Sequence, residues 1–390
     1  MKIFSINIFC RPKPFKINQK DFRTVRLQVL IDRVKNYDIV CLQELFNSLL
    51  NRKMIESFIQ QMEQNGFSFN IFGPKKSCVT PISGGLAIFS KIQIEEFGQQ
   101  KFSIKGCNFD KFTAKGYQYI LVNDILIVNT HLQADYAKDA KNANSQVQLS
   151  QLKEIHDFTK NYQKVILLGD LNIDYFSSQF VKKGMAVLEQ KRVQHGFNII
   201  TGEYDQFYHN DQPSLGFNQP SKQYSQMMNL FNEFSDLMLK QYDNMPPITF
   251  RDCDIKYGKI IQQDDYLSPA DDCVTCMRLD YALTKNITCQ GKVFTMKLNI
   301  GEHIFLTKLS DHNAMEIIVN IIQQENQINS FNESSAIVQN QVDSLIEDTN
   351  FKLELTDVSD QLQRDVYNCE QKYVKEKVYA VKNKTDNSED

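Results

Sequence analysis

Lys164-Val-Ile-Leu-Leu-Gly-Asp-Leu-Asn172 sets four apolar residues before a glycine, an acid and, two positions on, an amide. A short run of Val, Ile and Leu suits a strand buried on both faces and falls well short of the ~20 residues that cross a bilayer. The polar groups follow at once, so this strand delivers Asp170 and Asn172 at its carboxyl end. The same pattern recurs along the chain. Met1-Lys-Ile-Phe-Ser-Ile6 leads to Asn7, Asp38-Ile-Val-Cys-Leu-Gln43 to Glu44, and Ile125-Leu-Ile-Val-Asn-Thr130 to His131. Asp280 follows Met277-Arg-Leu279, and Asp311 and His312 stand just before a strand that begins near Ala314. If these strands share one sheet, their ends meet at one rim.

Further runs rich in Ile, Val, Leu and Tyr predict strands over Tyr37–Leu42, Gly84–Phe89, Tyr117–Val122, Ile125–Thr130, Lys164–Leu168, Arg278–Leu283 and Ala314–Ile321. Spacings of three and four predict helices over Phe22–Val34 and Ser145–Phe158. This mixture implies two β-sheets packed face to face with helices outside. The stretch from Asp174 to Asp272 reads as long loops with short helices, one over Gln226–Gln241. After Ile322 the chain turns polar and acidic, and Leu355, Val358, Leu362, Val366, Cys369 and Tyr373 form a helical stripe. The expected division is a catalytic domain over residues 1–322 and a polar, partly helical tail over 323–390.

The chain has 390 residues, 42% of them hydrophobic, ample for a large core. Its formal net charge of −3 argues against a general binder of nucleic acid, which usually carries a basic excess. Nine cysteines over this length do not form a disulfide framework. Cys273 and Cys276 make one CxxC with only Cys253 nearby, too little for a zinc site. The first ten residues alternate like a strand and lack a small-residue cleavage site, so an intracellular, cytoplasmic location with peripheral membrane association is expected.

The strand-end groups comprise four acids (Glu44, Asp170, Asp280, Asp311), two amides (Asn7, Asn172) and two imidazoles (His131, His312). Hard oxygen donors suit Mg²⁺ or a similar cation. Imidazoles beside them suit acid–base work near neutral pH.

In order, these blocks read N…QE…TH…GDLN…DY…SDH. That order resembles the catalytic signature of the endonuclease/exonuclease/phosphatase superfamily over roughly residues 1–322. Ser83-Gly-Gly-Leu-Ala-Ile-Phe-Ser-Lys91, the segment from Lys105 to Tyr117 with Asp110 and Lys115-Gly116, and Asn129-Thr-His-Leu-Gln-Ala-Asp-Tyr136 are similar to the neutral sphingomyelinase branch. Inositol phosphatases carry Cys-Asp-Arg where this chain has Arg278-Leu-Asp-Tyr281. The chain departs from its branch in lacking an evident Arg near Gln148 and a cysteine to pair with Cys107.

The resemblance implies a deoxyribonuclease-like α/β (α+β) fold, a four-layer sandwich of two packed mixed sheets flanked by helices. It implies metal binding at Glu44, with Asn7 and Asp311, for Mg²⁺ with Mn²⁺ or Co²⁺ as substitutes. Asp170 and Asn172, with Asn7 and Lys115, would bind and position the phosphate. His312 would act as general base with Asp280 behind it, and His131 would support the departing oxygen. Lys115 would stabilise charge on the phosphoryl oxygens, held in or out of the site by Asp110. His156, His195, His209 and His303 are expected to be structural. The implied reaction is Mg²⁺-dependent hydrolysis of sphingomyelin, a membrane phospholipid, to ceramide and phosphocholine, with no nucleic-acid partner. Alternatives are a nuclease or other phosphoesterase of the superfamily, or a catalytically silent scaffold.

Overall fold

Residue parity along the strands decides which side chains meet between the sheets. A computed structural model of the chain describes residues 1–11, 22–47, 51–77, 80–135, 143–175, 220–242, 247–251, 253–256, 259–262, 267, 276–298 and 308–320. In chain order the elements are β1 (Lys2–Cys10), α1 (Arg23–Val34), β2 (Ile39–Leu45), α2 (Arg52–Gln64), β3 (Phe69–Gly73), β4 (Leu86–Ser90), β5 (Glu96–Lys101), β6 (Gly116–Val122), β7 (Ile125–His131) and α3 (Ala143–Thr159). They continue with β8 (Val165–Asp170), α4 (Lys222–Leu230), β9 (Ser235–Asp236), α5 (Leu237–Gln241), β10 (Phe250–Arg251), β11 (Cys253–Lys256), β12 (Lys259–Gln262), β13 (Cys276–Met277), β14 (Asp280–Lys285), β15 (Cys289–Phe294) and β16 (Ala314–Val319).

Two six-stranded sheets carry the fold, ordered β15-β16-β1-β2-β4-β3 and β5-β6-β7-β8-β14-β9. Both are mixed: β1–β2 and β7–β8 are parallel, and their remaining pairings are antiparallel. Ile3, Ile39, Cys41, Ile88 and Ile317 of the first sheet pack against Ile125, Ile127, Ile166, Leu168 and Ala282 of the second. The alternate residues of β7 and β8, Leu126, Val128, Val165 and Leu167, pack with Leu152 and Ile155 of α3 and with Tyr224 and Met227 of α4. On the other sheet, Phe58 of α2 meets Phe89 of β4 edge-on with ring centroids 5.5 Å apart. Sequence alternation thus builds two packed mixed sheets with flanking helices, as the apolar runs predict.

The inter-sheet layer also has a polar seam. Gln43 Nε2 donates to Asn129 Oδ1 at 2.7 Å and to Ser5 Oγ at 3.2 Å, while Asn129 Nδ2 donates to the Leu42 carbonyl at 3.1 Å. These buried bonds tie β2 to β7 one and two residues before Glu44 and His131.

The expected helix over Gln226–Gln241 is corrected to two short ones. The chain leaves α4 through a turn, β9 pairs with β14, and Asp236 then caps α5 by accepting from the Leu239 amide at 3.1 Å. Asp236 also takes a forked pair of bonds from Arg278, at 2.9 and 2.6 Å, which removes it from a continuous helix. Strands β3, β5 and β15 and helix α2 have no counterpart in the sequence reading.

One compact unit comprises Met1–Lys297 with Lys308–Ile321. Leu298–Thr307 and Ile322–Asp390 group separately. The apolar stripe Leu355–Tyr373, the residues His195, His209, His303 and Cys273, and the side chains of Cys253 and Cys276 lie outside the described residues.

Candidate active site

Three adjacent strands of the second sheet align the central groups in register. His131 of β7 stands opposite Asp170 of β8, and Asp170 stands opposite Asp280 of β14. Gly169 has φ +134°, and a Cβ there would lie 2.0 Å from the Thr130 carbonyl oxygen. Only glycine lets β8 approach β7 this closely one residue before Asp170.

The first sheet supplies the other half, so the expectation of a single sheet's rim is corrected. Asn7 of β1 reaches across to donate from Nδ2 to Asp170 Oδ2 at 2.9 Å and to Glu44 Oε1 at 3.3 Å. Its Oδ1 accepts from the Phe9 amide at 3.0 Å. Asn7 therefore presents a donor to the carboxylates, and its oxygen is turned away from the metal role that the resemblance implied. Glu44 has φ +55°, in the left-handed region. Ile39, Cys41 and Gln43 point between the sheets, so regular pleating would send Glu44 outward. The local twist turns its carboxylate inward instead.

His312 closes the site. Its Nδ1 lies 2.8 Å from Asp280 Oδ2 and its Nε2 lies 3.7 Å from Asp170 Oδ2. His131 Nε2 lies 3.7 Å from the same Asp170 oxygen. Ser310 Oγ accepts from the His312 amide at 3.2 Å, and Thr249 Oγ1 accepts from the amides of Leu279 and Asp280 at 2.9 and 3.0 Å. Buried Arg26 donates to the carbonyls of Ile8, Phe9 and Leu309, so it fixes the end of β1 against the Asp311-His312 segment. Sequence reasoning missed Thr249 and Arg26, since each acts through backbone atoms and has no motif of its own, and it gave Ser310 of the SDH block no role.

A single carbonyl, that of Leu132, organises the side of the site that holds Lys115 and Asn172. It accepts from Lys115 Nζ at 2.6 Å and from Asn172 Nδ2 at 3.2 Å. Lys115 is buried, with Asp110 Oδ2 3.6 Å from its ammonium. Asp110 also accepts from the Ala134 amide at 2.8 Å. Gln148 of α3 donates to the carbonyls of Gln133 and Asn172, both at 2.7 Å, and so binds together the loops after β7 and β8. His156 lies away from this cluster, its ring against Phe231.

Burial and charge split the two imidazoles. Burial opposes a charge on His312, but Asp280, Asp170 and Asp311 outweigh it and raise the imidazole to about 10. His131 is driven well below the usual imidazole range by burial and by the charges of Lys115, His312 and Arg11. Burial raises Asp170 to about 7 against the pull of His312. Burial also raises Asp311, with Glu44 adding to it.

Glu44 Oε2 and Asp280 Oδ1 are buried without a hydrogen-bond partner. Arg11 Nε comes within 3.7 Å of Glu44 Oε2. A buried carboxylate oxygen that accepts no hydrogen bond fits a hard cation. Glu44 and Asp311 both line the cavity, and Asp170, Asp280 and His312 bring potential ligand atoms within 4.8 Å of one another. The site opens into a cavity of about 830 Å³ lined also by Phe9, Phe46, Phe109, Phe112 and Phe250.

Paired carboxylates, a carboxylate-backed imidazole and an amide bridge thus meet at the ends of two packed sheets, an arrangement able to carry acid–base chemistry. Residues 5–312 match the model of the Endonuclease/Exonuclease/phosphatase family, and the chain belongs to that family. It is related to sphingomyelinases. A sphingomyelinase C of Bacillus cereus is 29% identical over 196 residues, 46% of this chain and 59% of that protein. A sphingomyelinase of Dictyostelium discoideum is 26% identical over 193 residues, 40% of this chain and 41% of that protein. The chain thus spans less than two thirds of either relative. The crystal structure of a Staphylococcus aureus beta toxin shares the fold with a TM-score of 0.55 at 18% identity, covering 82% of this chain and 99% of that one.

Proposed function

We propose that the chain is a divalent-cation-dependent phosphodiesterase that hydrolyses sphingomyelin to ceramide and phosphocholine. The observation that carries the reading is His312, backed by Asp280 and facing Asp170, beside Glu44 in one cavity. The relation to sphingomyelinases supports the choice of lipid. Asn172 and Lys115 offer N–H donors to the phosphoryl oxygens, while Asn7 holds the carboxylates of Asp170 and Glu44 in place. Asp170 orients the attacking water. Water adds to phosphorus opposite the ceramide oxygen, and its proton passes to His312, whose imidazolium Asp280 stabilises. His131 supports the phosphorane and the ceramide oxygen as the P–O bond breaks. That oxygen takes a proton from solvent as it leaves, and His312 then releases to solvent the proton it took from the attacking water, so one water is consumed and both imidazoles return to their starting states. Glu44 and Asp311 would hold a divalent cation, Mg²⁺ by the hardness of the donors, and it would supply charge to polarise a phosphoryl oxygen and to offset the carboxylates that raise His312. The substrate is reached by peripheral contact with the membrane.

The test is release of phosphocholine from sphingomyelin vesicles with and without Mg²⁺, beside plasmid nicking by the same sample. Mg²⁺-dependent phosphocholine release with intact plasmid is expected. Efficient nicking with no phosphocholine release would overturn the lipid assignment.

A further inference from the structure

The turn Asn108–Phe112 on the cavity rim has its polarity inverted. Asp110 is buried, whereas Phe109 is 72% exposed and Phe112 is 44% exposed. Large aromatics usually go inside and carboxylates outside. The inversion is held in place. Asp110 Oδ2 accepts from the Ala134 amide at 2.8 Å, the Asp110 carbonyl accepts from the Thr113 amide at 3.0 Å, and the Cys107 amide donates to Gln133 Oε1 at 2.8 Å. The turn cannot roll its phenyl rings inward without breaking these bonds and losing the partner of Lys115.

The rings are not alone. The Ile82 amide donates to the Phe112 carbonyl at 3.1 Å, which brings Pro81 and Ile82 beside them on the same cavity lining. Lys101 Nζ donates to Thr80 Oγ1 at 2.8 Å, so the two segments are joined at a second point. Residues 75–82 and 101–113 together hold Lys75, Lys76, Lys101, Lys105 and Lys111, and their one acid is the buried Asp110. Nearby Glu154 is engaged by Ser103, and Asp135 is the exposed acid on the cavity lining. A local excess of cations on a chain of net charge −3 is a directed feature. Exposed aromatics on lysine-rich segments, with Lys111 Nζ 4.9 Å from the Phe112 ring centroid, match a bilayer interface, where rings enter the acyl boundary and ammonium groups meet anionic headgroups.

We propose that Phe109 and Phe112, with Lys105 and Lys111, dock the cavity mouth onto a membrane surface carrying anionic lipid. This places the interfacial contact before β6. Its purpose rests on the proposed lipid substrate, but the docking itself does not require that lipid.

The experiment uses the full chain and vesicles without sphingomyelin, either phosphatidylcholine alone or with one third phosphatidylserine. Co-sedimentation should be strong only with phosphatidylserine and should weaken about tenfold or more in Phe109→Ala/Phe112→Ala, on the scale of losing two interfacial aromatics. Lys105→Ala/Lys111→Ala should reduce the dependence on phosphatidylserine and on salt. Melting curves check that each variant folds. The chain has no Trp. Phe109→Trp therefore introduces a single reporter whose emission should shift to the blue on anionic vesicles. Unchanged sedimentation of the Phe variant, or no shift from Phe109→Trp, would overturn the proposal. So would self-association that depends on these rings without vesicle binding, which would assign the surface to a second copy. If vesicles bind in this way but no phosphocholine is released from sphingomyelin, the substrate reading fails and the docking stands.

Discussion

The imidazole of His312 is fixed by Asp280, whose Oδ2 sits 2.8 Å from Nδ1, and both side chains are buried. This contact sets the tautomer and ring direction and leaves Nε2 toward Asp170 and the cavity. The Asp280 amide is in turn held by Thr249 Oγ1, so the pair is braced from behind.

His312→Ala is expected to lower turnover by ~10²–10⁴-fold, the usual contribution of a positioned acid–base group. Asp280→Asn should be severe as well, because the amide can offer its N–H where the ring needs an acceptor. Steady-state rates on one substrate check both. A rate untouched by Asp280→Asn would refute the pairing.

Protonation of His312 and Asp170 has a stability signature in chelator. His312 is raised from 6.5 to about 10 and Asp170 from 3.8 to about 7, so the folded state binds protons more tightly than the unfolded chain at both positions. Stability from His312 is then fully present below 6.5 and is lost as pH rises through about 10. Stability from Asp170 is present below 3.8 and is lost as pH rises through about 7. Melting temperature in chelator should fall as pH rises from 6.5 toward 9, and His312→Gln should flatten that fall. A wild-type curve that rises over this range would contradict the electrostatics of the site.

Much of this site was legible because strand ends are legible. Apolar runs that stop at Asn7, His131 and Asp170 gave both the strands and their polar termini. What escaped has a physical reason. Glu44 was legible as a strand-end acid, but the φ of +55° that accompanies its entry to the site is signalled by no alternation pattern. Thr249 acts on the amides of Leu279 and Asp280 from far along the chain, and Arg26 reads as an ordinary helix residue until its partners are seen to be the carbonyls of Ile8, Phe9 and Leu309. The Gln226–Gln241 reading failed because Asp236 is taken by the capping bond to Leu239 and by Arg278. That partner is unforeseeable from helical spacing.

Glu44→Gln keeps the shape of the side chain and removes its charge. Buried Oε2 loses the character that suits a cation, so Mg²⁺ affinity should fall at least tenfold and activity should fall with it. Titration of the folded protein with Mg²⁺, followed calorimetrically, separates lost binding from lost catalysis. Full activity of the wild type in excess chelator would remove the metal from the reading.

Arg278→Met tests the brace beneath the site. Arg278 and Asp236 are both buried, with contacts of 2.9 and 2.6 Å, and the guanidinium lies 4.5 Å from the Tyr281 ring centroid. Removing the cation strands a buried carboxylate, which should cost about 3–5 kcal/mol. Denaturant unfolding measures this directly. Asp236→Asn with Arg278→Met should recover part of the loss, because no unpaired charge then remains.

Lys115 offers the sharpest separation between chemistry and structure. Its ammonium is buried, donates to the Leu132 carbonyl at 2.6 Å and lines the cavity with His131 and Asn172. A fixed cation there stabilises charge on phosphoryl oxygens as it grows, so Lys115→Ala should reduce kcat by roughly 10²–10³-fold, as loss of a preorganised donor does elsewhere. Mg²⁺ affinity should change little, because Glu44 and Asp311 remain. The same reduction should occur on a soluble phosphodiester, where membrane docking plays no part. A loss confined to vesicles would instead mean that Lys115 acts only by holding Asp110 and the Asn108–Phe112 turn. Lys115→Arg retains the charge but presents it in a broad planar fork, so partial recovery is expected only if charge, and not fit to the Leu132 carbonyl, is what the reaction uses.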